Sequence, residues 1–175
     1  MLASGEIESE SRFELVDGEI VWLSIPGRIH GQVCAAIVVA LGPFARAINA
    51  LLMVHGPGYR TGASRQNLRD PDISLVTRER EAMFSTRPGW ASDAPDLAVE
   101  VLSPDEYGEA YARAKVPEYL EAGAKVVWLV NPRDHTVRAY EARKSDYVVY
   151  SGDAEITLDT IAPGFRANVS SFFPE

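Results

Sequence analysis

Cysteine is almost absent from this chain: Cys34 stands alone in an apolar run, so no disulfide can form within the molecule and a reducing cytoplasm is its expected setting. Long hydrophobic runs are missing as well. The longest, residues 33–41, falls far short of the roughly 20 apolar residues that a bilayer-spanning helix needs. The opening residues, with Glu6, Glu8 and Glu10 soon after Met1, have neither the positive start nor the apolar centre of a secretory leader. Together these absences predict a cytoplasmic protein without membrane attachment. Positive charge is also short. The 17 Lys and Arg face 25 Asp and Glu, a net charge of −8 with a pI near 4.9. The balance argues against broad nonspecific binding to nucleic acid, which draws its affinity from cations displacing condensed counterions. The sequence contains no internal repeat and no low-complexity segment.

What is present is enough for a core. With 46% hydrophobic residues over 175 positions, the chain is expected to form a single domain spanning 1–175. Its charge is unevenly spread. Residues 1–19 carry Glu6, Glu8, Glu10, Glu14, Asp17 and Glu19 against Arg12 alone, whereas residues 58–89 set six arginines (60, 65, 69, 78, 80 and 87) against four acids. The arginine-rich stretch reads as a solvated surface.

Taken in order, residues 13–23 predict a hairpin turning at Asp17-Gly18, with Glu14 on its first arm or on a helical turn just before it, read as a solvated strand-edge acid, and apolar alternation on the second arm. A helix is predicted from His30, because Val33, Ile37, Leu41, Phe44, Ile48 and Leu52 recur at intervals of three and four. Gly42-Pro43 should kink or split it. His30 could reach a site or simply make a structural polar contact. Residues 77–92 turn polar and read as a loop. A helix capped by Ser103 or Asp105 should run to about Ala122, with an irregularity at Pro117 and a stop at Gly123. Residues 125–130 form a buried strand, and residues 136–140 and 147–150 an antiparallel pair. A helix crossing between the strands at residues 96–102 and 125–130 implies that those two are parallel. The fold class expected is α/β or α+β, a mixed sheet flanked by helices.

Two stretches carry the chemistry. Asp70-Pro-Asp-Ile-Ser-Leu-Val76 and Ala94-Pro-Asp-Leu-Ala-Val-Glu-Val-Leu-Ser-Pro104 each lead from Pro-Asp into a short apolar run of buried-strand composition, and each strand carries a carboxylate. Asp72 lies at the mouth of the first and Glu100 inside the second. Burying an unpaired charge there would cost several kcal/mol or force protonation. A divalent cation between the two acids would compensate, and Mg²⁺ commonly takes one or two protein carboxylates while keeping water or phosphate oxygens. Alternatively, Asp72 caps a strand and Glu100 pairs with a basic side chain. Lys115, on the helix leaving the Glu100 strand, can fold back over both acids or point into solvent. Two acids, a metal and a lysine suit phosphodiester cleavage, since the metal acidifies a water and the lysine steadies hydroxide or a nonbridging oxygen.

The chain resembles the Uma2 family of endonucleases, a branch of the PD-(D/E)XK superfamily. The resemblance rests on residues 13–19, His30, Arg69-Asp-Pro-Asp72, Pro95 to Pro104, Lys115, Tyr119-Leu-Glu-Ala-Gly123, Val127-Trp-Leu-Val-Asn-Pro132 and Pro163-Gly-Phe165. It implies a restriction endonuclease-like mixed sheet and Mg²⁺-dependent hydrolysis of DNA, with Mn²⁺ as a substitute. It further implies that Asp72 and Glu100 are metal ligands, and that Lys115 is a lysine migrated from the position that Leu102 occupies. Glu14 would approach the metal through a water. A symmetric homodimer is expected if both strands of a duplex are cut. The other reading is a nuclease fold that binds DNA or regulates without cleaving.

Overall fold

The computed structural model describes residues 12–173, apart from 24, 57, 65, 85–89, 104 and 105. The predicted hairpin is β1 (Phe13–Val16) and β2 (Glu19–Trp22). Its two-residue turn places Asp17 at φ 51° and Gly18 at φ 85°, the left-handed pair whose twist suits antiparallel strands. Helix α1 (Arg28–Ala47) buries Val33, Cys34, Ile37, Leu41, Phe44 and Ala45. It does not split at Gly42-Pro43. Proline inside a helix costs about 3 kcal/mol, but burying Leu41 and Phe44 on either side returns roughly 1.5–3 kcal/mol each. The carbonyl that loses its partner belongs to Val39, which is 75% exposed and can bind water instead. Nor does the helix reach Leu52. Asn49, at φ 54°, ends it, and Leu52 falls in β3 (Leu51–Val54). As formed, α1 is long and apolar enough to cross a membrane, yet one of its faces is core.

The main sheet has six strands in the order β10-β9-β8-β7-β6-β3, comprising β6 (Ile73–Val76), β7 (Leu97–Val101), β8 (Val126–Asn131), β9 (Thr136–Glu141) and β10 (Val148–Ser151). Only β7 and β8 run parallel. Helix α3 (Glu106–Glu121) joins them, as a crossover requires. It continues through Pro117 and stops before Gly123, whose φ of 97° an L side chain rarely adopts. Alternation along β7 and β8 divides the core. Leu97, Val99, Val101, Val126, Trp128 and Val130 pack with α1, whereas Ala98, Leu102, Val127 and Leu129 pack with Ala112, Val116 and Tyr119 of α3. Glu100 has the parity of the α3 face, and this alternation is what aims it at that helix.

A second sheet, ordered β2-β1-β5-β4, adds β4 (Tyr59–Thr61) and β5 (Asn67–Arg69) and contacts α3 through β4. The segment predicted as a loop contains a short helix, α2 (Arg78–Glu81), started by the Thr77 hydroxyl accepting from the Arg80 amide. Residues 85–89, in that same stretch, and Asp105, one of the two expected caps of α3, lie outside the described residues. Strands β11 (Glu155–Thr157) and β12 (Arg166–Asn168) pair with each other, and a 3-10 helix (Val169–Phe172) follows. Phe165 and Phe172 close that side over Trp128.

Candidate active site

Pairing between β6 and β7 sets Ile73 opposite Val99. One residue further along the same register puts Asp72 opposite Glu100, and residues opposite one another in an antiparallel pair share a face. Both acids line a cleft of about 530 Å³ together with Arg12, Trp22, His30, Asp70 and Lys115. Asp72 Oδ2 accepts a hydrogen bond of 2.8 Å from the Val101 amide and lies 3.1 Å from His30 Nε2. Its other oxygen faces Arg12 and His55 at 3.9 and 3.8 Å, beyond hydrogen-bond reach. Burial works to raise the Asp72 carboxyl, but the His30 and Val101 contacts and the charge of Lys115 outweigh it and hold it below the ordinary range.

Lys115 is not a solvated helix lysine. Only 4% of it is exposed, and its Nζ donates to Glu14 Oε1 at 2.9 Å and to Glu100 Oε2 at 3.0 Å. The second Glu100 oxygen accepts from the Tyr119 hydroxyl at 2.7 Å. Glu14 corrects its sequence reading more sharply, because the expected strand-edge acid is fully buried. Besides Lys115 it binds Arg69 Nη1 at 2.9 Å, the Tyr111 hydroxyl at 2.6 Å and the Asp70 amide at 3.1 Å. With both oxygens occupied it anchors Lys115. Arg69 likewise departs from the predicted arginine surface. Its guanidinium is buried and grips both Glu118 oxygens, through Nε at 2.8 Å and Nη2 at 2.6 Å.

Charge within this cluster does not balance. Glu14, Glu100 and Glu118 face Lys115 and Arg69. Burial pushes the Glu100 carboxyl up to about 7, Lys115 opposes that, and the charges of Asp72 and Glu14 add to it. A measurable consequence follows for folding. The native protein holds the Glu100 proton at pH values where the unfolded chain, near 4.5, has released it. Glu100 therefore favours folding at low pH, and its contribution is lost as pH rises from about 4.5 to 7, amounting to about 3 kcal/mol. Glu14 and Asp72, held low, add stability as pH rises through the acid range below that. Urea melts should show stability falling between about pH 5 and pH 7, and Glu100→Gln should flatten the fall. An unchanged slope in that variant would mean that Glu100 does not titrate there.

A metal was expected at Asp72 and Glu100. Among the described residues no three His, Cys, Asp or Glu side chains gather closely enough to cage an ion. Donors of this kind suit a hydrated cation resting on two carboxylates, the habit of Mg²⁺, better than a zinc site. Asp70 Oδ1, on the cleft wall, is buried without a hydrogen-bond partner, a further oxygen suited to a water of such an ion.

His30, which the sequence left open, does reach the site. Tyr111, Glu118 and Tyr119 escaped the sequence reading; with Lys115 they form one polar stripe of α3 at helical spacing, a signal that reading the helix for polar rather than apolar periodicity would have found. Leu102, where the superfamily lysine was expected, lies in the apolar cluster beneath α3.

This sheet, with one parallel pair and its acids drawn to the crossover helix, is of the α+β class. A crystal structure from Anabaena variabilis, described as "a putative nuclease belonging to DUF820", matches it with a TM-score of 0.71 and 21% sequence identity, covering 92% of this chain and 89% of that one. At this identity the likeness is one of fold. The family follows from the sequence: the Uma2 model, described as "Putative restriction endonuclease", matches residues 2–170, and the chain belongs to that family. No curated protein is similar enough to match.

Proposed function

We propose that this chain is a Mg²⁺-dependent DNA endonuclease of PD-(D/E)XK type, acting as one domain in the cytoplasm without membrane attachment. The observation that supports it best is the meeting of Asp72, Glu100 and Lys115 in one cleft, from two strands and a helix distant in sequence. Mg²⁺ on Asp72 and Glu100, or Mn²⁺ in its place, would polarise a phosphoryl oxygen and make a water more acidic. The chain's own groups do the rest. Tyr119 holds one Glu100 oxygen so that the carboxylate keeps its direction. Asp72 is aimed by the Val101 amide and His30. An ammonium has three N–H donors, and Lys115 spends two on Glu14 and Glu100. Its third is available to a nonbridging phosphate oxygen, while Glu14 keeps the charge in position. A symmetric homodimer would provide the two sites that a duplex break needs, and sedimentation with and without DNA tests it.

Supercoiled plasmid incubated with Mg²⁺ or Mn²⁺ should be nicked by the wild type and about 100-fold more slowly by Glu100→Ala. Equal nicking by both proteins, or nicking that persists in EDTA, would overturn the reading. One observation favours a nuclease fold kept for binding or regulation: the Lys115 ammonium, 3.0 Å away, already gives Glu100 a positive partner without a metal ion. Such a module has no need of a saturable Mg²⁺ site, so a calorimetric metal titration separates the two.

A further inference from the structure

The hairpin of β1 and β2 is built inside out. Its register pairs Phe13 with Trp22 and Leu15 with Ile20 on one face, and Glu14 with Val21 on the other. The face turned inward is the one that carries the acid. Phe13, Ile20 and Trp22 are left 39%, 57% and 54% exposed, and the Phe13 and Trp22 rings meet edge to face with centroids 5.8 Å apart. A slip of one residue would bury these rings and expose Glu14. The fold instead keeps two aromatics in water next to the cleft, whose wall includes Trp22 and Arg12. Clustered exposed apolar side chains of this kind mark an interaction surface.

Charge selects the partner. Arg12 is held by Asp70 at 2.9 Å, and Lys115 by Glu14 and Glu100, so the cations at the cleft are already paired. With a net charge of −8, the protein offers little to a duplex bound mainly through its phosphates. A single strand has more to gain, because its unpaired bases present π-faces that stack on aromatic rings whatever their sequence. Strand β2 is the outer strand of its sheet, so a chain leaving the cleft across that edge passes the rings. We infer that Phe13 and Trp22 form a stacking shelf for unpaired bases, and that the DNA taken into this cleft is single-stranded or locally unpaired. The choice of a nucleic acid as occupant rests on the nuclease reading above. A single strand also needs only one site.

The test measures binding in EDTA, where no cleavage takes place, using fluorescence anisotropy of a labelled oligothymidylate on the order of 15 nucleotides long. A duplex of equal length serves as the comparison. The full-length wild type should bind the single strand at least tenfold more tightly than the duplex. Trp22→Ala should lose about tenfold in single-strand affinity, the worth of one stacked base, and Trp22→Phe should recover most of it. Equal affinity for both DNAs would overturn the inference. So would a Trp22→Ala variant that is folded by circular dichroism and binds unchanged. Sedimentation of the same proteins covers the rival occupant: a dimer that Trp22→Ala dissociates would assign the shelf to a second copy of this chain and overturn the inference. The two proposals fail separately. Trp22-dependent binding of single strands with no cleavage in Mn²⁺ would end the nuclease reading alone, whereas metal-dependent nicking with no preference for single strands would end this one alone.

Discussion

Lys115→Ala is expected to abolish plasmid nicking, with a loss of at least about 100-fold, the scale of a positioned charge acting on the transferring group. It should also destabilise the protein by about 3–5 kcal/mol at pH 8, because it leaves Glu14 and Glu100 buried without the cation between them. The cost should shrink toward pH 6. Glu100 already titrates near 7, and without the ammonium it takes up a proton more readily and sheds its charge. Metal affinity at neutral pH should fall as well, since a cation must then displace a more tightly held proton. The shared hydrogen bond between Lys115 and Glu100 is what couples the lysine to the metal. Paired urea melts at the two pH values, beside the nicking assay, check all of this. A Lys115→Leu protein at full activity would show that the mechanism proposed here is wrong.

Glu14→Ala is expected to have the second-largest effect. It withdraws a buried partner from Arg69, Lys115, Tyr111 and the Asp70 amide together, at a cost of about 3–5 kcal/mol. Glu14→Gln keeps the volume and one acceptor oxygen and should cost less. Its informative effect is on Glu100. With the Glu14 charge gone, Lys115 faces a single carboxylate of the pair, and the Glu100 carboxyl should fall below its value of about 7. The acid limb of the pH–rate profile should then move to lower pH with folding intact. A profile that does not move would mean that Glu14 only supports the fold.

The hairpin, the β7–α3–β8 crossover and the stop at Gly123 were legible because each is a local signal: a two-residue turn, a switch in hydrophobic period, a backbone angle that suits glycine. Pro43 misled because a local rule met a tertiary gain. Its cost to the helix is smaller than the burial it interrupts. Glu14 misled in the opposite sense. An acid on an exposed-looking hairpin arm gives no hint of Arg69, Lys115 and Tyr111, which arrive from 55 to 101 positions away in the chain.

By itself, then, the sequence determined most of the element types, the parallel pair, the two acid-bearing strands and the family. These are written in periodicity, turn chemistry and motif spacing, all of which act within a few residues. Only the tertiary structure decided which face of the first hairpin turns inward, that Lys115 is shared between two buried acids, and that Arg69 is interior. Those outcomes depend on charges brought together over long separations in a medium of low dielectric, where each carboxylate requires a cation and no short window of sequence records which one it finds.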